Sequence, residues 1–178
     1  TGSIGLSTLK IIKIKRELFQ PYIFSANKNY KKITNQIKLF KPEYFVINDK
    51  NIYEKIKKKF LNKKTKILNN FDKIKIKKKS DITISAIPGI SGLKPTLILT
   101  KLSKKILIAN KESIICAWKF IKSEAKKNNT KVVPIDSEHF SILKLLEKQK
   151  SNDIKKIYIT ASGGPFLNLK LSEFKNIK

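Results

Sequence analysis

The sequence contains no methionine, one cysteine, one tryptophan, one histidine and one arginine, and only 13 acidic residues among 178. Without methionine there is no initiator residue. No strand-like run precedes the turn-like opening TGSIG, so the sequence leads us to expect a chain whose true start lies upstream. A single cysteine excludes an internal disulfide. Cys116 lies in the apolar run SIICAWKFI and reads as a packed thiol. No signal peptide is present, and no apolar run approaches the roughly 18 residues a membrane span needs, which excludes a spanning segment. A reducing cytoplasm is the expected location.

Acidic residues are scarce against 40 basic ones, which leaves a formal charge of +27. Such a charge invites a nucleic-acid reading, because basic surfaces release counterions from phosphates. The composition argues against it. Only Arg16 is arginine and the other 39 basic residues are lysines, whereas base readers favour the bidentate arginine fork. The lysines run along the whole chain, and isoleucine and asparagine are abundant beside them. That triad points to A+T-rich coding and a solvated face. No stripe of basic residues with interleaved aromatics is found, so no nucleic-acid partner is expected.

Short β-branched runs alternate with amphipathic stretches. Strands are expected at 22–25, 43–48, 64–68, 81–87, 105–110, 131–135 and 155–161. Helices are expected near 6–16, 30–40, 50–61, 93–103, 111–128 and 137–148. Strand, helix, strand repeated in this way predicts an α/β fold with a parallel sheet and right-handed crossovers. In such sheets, ligands bind outside the carboxyl ends of the strands. Polar or glycine-rich clusters follow five of the expected strands: SANKN, AIPGISG, ANKES, DSEH and TASGGPF.

Each cluster has a structural and a chemical reading. TGSIG places Gly2 and Gly5 before a helix, where bare N–H groups suit a phosphate, although ordinary capping uses the same residues. About 20 residues on, an NAD site carries an acid for the ribose 2′-hydroxyl. Here the residues are Asn27, Lys28 and Asn29. A lysine flanked by amides suits a 2′-phosphate and hence NADP, and an Asn-rich turn is the alternative. In ANKES, Asn110 can cap a helix with Glu112 in its first turn. Lys111 is misplaced for the helix dipole unless a ligand supplies the anion. In DSEH, Asp136 can cap a helix, or Asp136 and Glu138 can offer oxygens to one hard divalent cation such as Mg²⁺ or Mn²⁺. Two carboxylates make an incomplete site, so a third ligand is expected elsewhere. His139 is read as supporting or structural. In TASGGPF, Ser162 and its glycines form a rigid turn able to hold a phosphate or hydroxyl.

GSIG with ST, AIPGISGLKPTL, ILIANKES, PIDSEH and TASGGPF, in this order and spacing, resemble the 1-deoxy-D-xylulose 5-phosphate reductoisomerase family along the whole chain. The resemblance implies a Rossmann-like parallel sheet with helices on both faces, followed by the beginning of an α/β catalytic domain. Residues 1–130 would be the NADPH-binding domain without its first strand, and 131–178 the truncated start of the metal-binding domain. It implies NADPH and Mg²⁺ or Mn²⁺ as cofactors. The reaction would convert 1-deoxy-D-xylulose 5-phosphate to 2-C-methyl-D-erythritol 4-phosphate, in non-mevalonate isoprenoid precursor synthesis. Motif by motif, Thr1, Gly2, Ser3 and Ile4 would line the cofactor phosphates. Asn27, Lys28 and Asn29 would hold its adenosine end, though many relatives have glycine where Asn27 stands. Asn110 and Glu112 would touch the nicotinamide half. Lys111, Ser137, Glu138 and Ser162 would contact the phosphorylated sugar, and Asp136 and Glu138 the metal.

The resemblance also implies a metal acting as Lewis acid and template during a carbon-skeleton rearrangement, then hydride reduction. A homodimer is expected of the full-length enzyme, and a chain ending at 178 is expected to be inactive and poorly soluble alone. Two rival readings are another NADP-dependent sugar or amino-acid dehydrogenase and a basic nucleic-acid-binding domain. The first has no need of DSEH or SGGPF.

Overall fold

The computed structural model describes residues 2–75, 78–149, 153–158 and 169–176. Helices and strands follow one another as α1 (Ser3–Ile14), β1 (Ile23–Ala26), α2 (Tyr30–Phe40), β2 (Tyr44–Ile47), α3 (Lys50–Lys59), β3 (Lys66–Leu68), β4 (Ser80–Ser85), α4 (Leu93–Lys101), β5 (Ser103–Ile108), α5 (Lys111–Lys127), β6 (Lys131–Pro134) and α6 (Ser137–Leu146). The chain divides into two compact units, Thr1–Asp136 and Ser137–Lys178.

All six strands belong to the first unit, and every pairing among them is parallel. They form two three-stranded sheets, ordered β1-β2-β3 and β4-β5-β6. The expected α/β architecture of parallel strands joined by helices is therefore present. What the sequence pattern did not indicate is the division of the strands into two sheets. Of the expected seventh strand, residues 155–158 are not in a strand, and the rest of that span lies outside the described residues.

Each sheet has its own core. In the first, all four residues of β2, Tyr44, Phe45, Val46 and Ile47, are buried. Parallel strands covered on both faces read as unbroken apolar runs for this reason. Ile33, Ile37 and Phe40 of α2 recur at helical spacing and bury the matching stripe, while Tyr53 and Ile56 do so for α3. Asn29 and Asp49 start these two helices by accepting hydrogen bonds from the amides of Lys32 and Ile52.

In the second sheet Ile106 and Ile108 of β5 pack with Leu99 of α4 and Ile121 of α5. Removing an isoleucine of this kind from water contributes about 1.5–3 kcal/mol. A seam of sealed hydroxyls runs beside this core. Thr100 donates to the carbonyl oxygen of Thr96, Ser103 is bonded to the Thr83 hydroxyl, and the Thr130 hydroxyl reaches the carbonyl oxygens of Thr100 and Ser103. Helix α5 buries Ser113, Ala117, Ile121 and Ala125, every fourth residue, and packs against α4. Three of these four, Ser113, Ala117 and Ala125, are small, and Ile121 alone of them fills the core beside Leu99.

That burial pattern corrects the expectation for Cys116, whose thiol is exposed. Ala117 departs from helical backbone at φ −143°, and Ile115, Trp118 and Phe120 are exposed around it. The apolar run SIICAWKFI is thus divided between a small buried stripe and a larger exposed one.

Candidate functional site

The candidate residues sit where strands end and helices begin. Gly2 precedes α1 with extended backbone. No side chain caps α1, and its first turn holds no acid. By contrast, α2, α3 and α5 all have side-chain caps. Among the described residues, then, no side chain accepts from the first N–H groups of α1, as is also so for α4. The space beside the Gly2 Cα is open, so a ligand atom has room to approach. Ser3 and Ile4 follow on the exposed first turn. Thr1 lies outside the described residues.

β1 ends at Ala26, and Asn27, Lys28 and Asn29 are all exposed beyond it. Asn29 is committed to capping α2, its Oδ1 accepting from Lys32 at 3.0 Å. Among the described residues Lys28 has no ion-pair partner, and its ammonium is exposed at the strand end.

The second sheet brings the next clusters together by register. Ser85 of β4 pairs with Ile108 of β5, and Ile108 with Pro134 of β6. The segments that follow, 86–92, 109–112 and 135–136, therefore leave the sheet at one level and one end. Asn110 is only 2% exposed and its side chain is fully used. Its Oδ1 accepts from the Ser113 amide at 2.7 Å, and its Nδ2 donates to the carbonyl oxygens of Ile87 and Gly89. Lys111 is exposed and, like Lys28, has no ion-pair partner among the described residues; Glu112 is half-buried. Asp136 closes the first unit, half-buried, two residues beyond Pro134.

In the second unit, Ser137 and Glu138 occupy the exposed first turn of α6, where the Ser137 hydroxyl donates to Glu138 Oε2 at 3.1 Å. Ser162 lies outside the described residues. Among the described residues no three His, Cys, Asp or Glu side chains gather as a metal site. Asp136 and Glu138 nonetheless supply oxygen donors alone, the chemistry a hard divalent cation takes.

Sequence reasoning missed Gly92 and Ser113. A side chain on Gly92 would overlap Asn110 Nδ2 and the Ile87 carbonyl oxygen. The available signal was a glycine directly before an apolar helix, in AIPGISG. An open depression of about 650 Å³, lined by Arg16, Tyr22, Phe40, Lys41 and Lys64 among others, lies at the amino ends of β1 and β2. It is at the wrong end of the strands for any of the clusters above.

Comparison with known proteins places these clusters in context. A family model described as 1-deoxy-D-xylulose 5-phosphate reductoisomerase matches residues 1–118, and a model of that enzyme's C-terminal domain matches 132–178. A reductoisomerase of this name from Pelagibacter ubique is 50% identical over 181 residues, covering 99% of this chain and 47% of the relative. One from Clostridium novyi is 41% identical over 182 residues, covering 99% and 47%. The structure of the Zymomonas mobilis enzyme in complex with NADPH superposes with a TM-score of 0.82 at 31% identity, covering 97% of this chain and 46% of that one. A further reductoisomerase structure, with NADPH, fosmidomycin and magnesium, gives a TM-score of 0.82 at 30% identity, covering 99% and 47%. The chain spans about half the length of the curated relatives it matches.

Proposed function

Since the chain belongs to the 1-deoxy-D-xylulose 5-phosphate reductoisomerase family, we propose that it supplies the NADPH site and two metal carboxylates of an enzyme that turns 1-deoxy-D-xylulose 5-phosphate into 2-C-methyl-D-erythritol 4-phosphate. In this reading residues 1–130 are the cofactor domain and 131–178 open the catalytic domain. The observation that carries it is the register of β5 with β6, which brings Lys111 and Asp136 to one end of one sheet. A phosphorylated hydroxyketone needs a cation for its negative charge and a carboxylate-held metal for its oxygens.

The residues present fit both cofactors. Gly2, Ser3 and Ile4 lie at the start of α1, which has no side-chain cap and is suited to the NADPH diphosphate, and Thr1, outside the described residues, is assigned to the same phosphates. Lys28 meets the 2′-phosphate by charge, with the neutral amides of Asn27 and Asn29 on either side, and Asn110 and Glu112 border the nicotinamide half. Asp136 and Glu138 are oxygen ligands for Mg²⁺ or Mn²⁺, and Ser137, Glu138, Lys111 and Ser162 hold the sugar phosphate. When bound, the metal supplies Lewis acidity and NADPH supplies hydride. The chain's own residues bind and orient: Lys111 neutralises developing negative charge, and the β5–β6 register keeps it at the same sheet end as Asp136.

Among the described residues no helix is long and apolar enough to cross a membrane. We take the enzyme to be cytoplasmic, homodimeric at full length and without a nucleic-acid partner. Another NADP-dependent dehydrogenase or a basic nucleic-acid-binding domain is not favoured by the relatives found. The test is to join this chain to the second half of the Pelagibacter ubique relative and follow NADPH absorbance with the sugar phosphate. Metal-dependent consumption is expected. A folded chimera that binds NADPH but leaves it unconsumed, beside an active Pelagibacter control, would overturn the assignment.

A further inference from the structure

Asn110 stands between two elements that the cofactor and substrate readings both depend on. Its Oδ1 accepts from the Ser113 amide at 2.7 Å and begins α5, the helix that carries Lys111. Its Nδ2 donates to the Ile87 carbonyl oxygen and, at 2.9 Å, to that of Gly89, both in the loop between β4 and α4. An asparagine amide has two N–H donors. Both are spent on the protein, in a side chain 2% exposed. The loop is shaped to receive it. Gly89 takes φ +69°, a conformation that side chains disfavour, and the Gly92 amide closes a turn by donating to the Gly89 carbonyl oxygen at 3.1 Å. Gly92 has no room for a Cβ because Asn110 Nδ2 and the Ile87 carbonyl oxygen occupy that space.

We propose that Asn110 is a positioning residue: its amide ties the Ile87–Gly92 loop to the first turn of α5 and so fixes where Lys111 stands relative to that loop. The tie couples two strand ends of the second sheet. Only asparagine has the required shape, with one acceptor aimed along its own helix and two donors aimed across to the neighbouring loop. Aspartate keeps the acceptor but sets an oxygen against two carbonyl oxygens, and serine keeps a short acceptor with no reach to the loop. The importance given to Lys111 rests on the reading under "Proposed function"; the tie itself does not.

The test is amide hydrogen exchange on the chimera, measured without cofactor or substrate. In Asn110→Asp, protection at the Ser113 amide should stay within about threefold of wild type, because the capping oxygen remains. Protection at the Gly92 amide should fall at least about tenfold at neutral pH. It should recover as pH drops, because a protonated carboxyl regains one donor. Ile87–Gly92 contains no titratable side chain and the nearest charged groups on α5 are Lys111 and Glu112, so the wild-type ratio should stay flat over the same range. Gly92→Ala should loosen Ser113, on a different element, and should loosen it less when Asn110 is already Ser. A pH-independent Gly92 ratio in Asn110→Asp overturns the proposal, as does Gly92→Ala leaving Ser113 untouched. If Asn110→Asp does not fold, Asn110→Ser decides by the same Gly92 readout. Failure of the chimera to consume NADPH would strike the functional reading and leave this result standing.

Discussion

Ser85 and Thr96 face each other with their hydroxyl oxygens 2.7 Å apart, one at the end of β4 and the other in α4, and solvent reaches neither side chain appreciably. Thr96 also hydrogen-bonds to the Gly92 carbonyl oxygen at 2.7 Å. The strand end is thereby fastened to the helix that follows it. Thr96→Val keeps the shape and removes the hydroxyl, leaving the buried Ser85 Oγ without this partner. The expected cost is about 1–3 kcal/mol, read as a lower urea midpoint with an unchanged slope. An unchanged midpoint would mean that the seam adds nothing to stability.

Asp81 and Lys104 pair on neighbouring strands, Nζ to Oδ1 at 2.7 Å. The hydrogen bond from Lys104 and then its charge hold the Asp81 carboxyl below the ordinary value of 3.8. A depressed carboxyl gives stability that is present above the unfolded value and lost as pH falls through the folded one. Asp81→Asn should therefore lower the urea midpoint slightly near neutrality, and the gap should close as pH drops below the ordinary carboxylate range. Both groups are exposed, so the effect is small and weaker in high salt. A gap that widened in acid would contradict the sign.

Lys28 is the residue on which cofactor preference should turn. The full-length enzyme that carries this chain should bind NADPH at least tenfold tighter than NADH, about 1.4 kcal/mol. Lys28→Asp should narrow or reverse that preference by repelling the 2′-phosphate. Fluorescence titration with both cofactors measures it, and equal wild-type affinities would remove the assignment.

The proposed metal ligands predict a different separation. In the chimera, Asp136→Asn or Glu138→Gln should reduce turnover by at least about a hundredfold and leave NADPH affinity nearly unchanged. Each swap removes a charged oxygen with little change of shape. Near-normal activity with Mg²⁺ or Mn²⁺ in either variant would return both residues to an ordinary role at a helix start.

Much of the fold follows from the sequence because its signals are local. Asn29 and Asp49 stand before apolar stripes of period 3.6, and their helices begin where those signals place them. YFVI is apolar throughout and forms a strand buried throughout. ANKES and DSEH were visible as ionisable clusters at strand ends, and the motifs themselves, in their order, resemble those of the family.

Other properties are not local, and only the tertiary structure decided them. The pairing of strands fixed the division into two sheets and the shared level of Lys111 and Asp136, since register depends on partners distant in the chain. The packing of α5 against α4 decided that α5 buries Ser113, Ala117 and Ala125 and leaves Cys116 outside; hydrophobicity alone indicated the reverse for the thiol. Asn110 was legible as a helix cap, because a cap bonds three residues along its own chain. Its two other bonds cross to a loop some 20 residues earlier, and only folding brings that loop within reach.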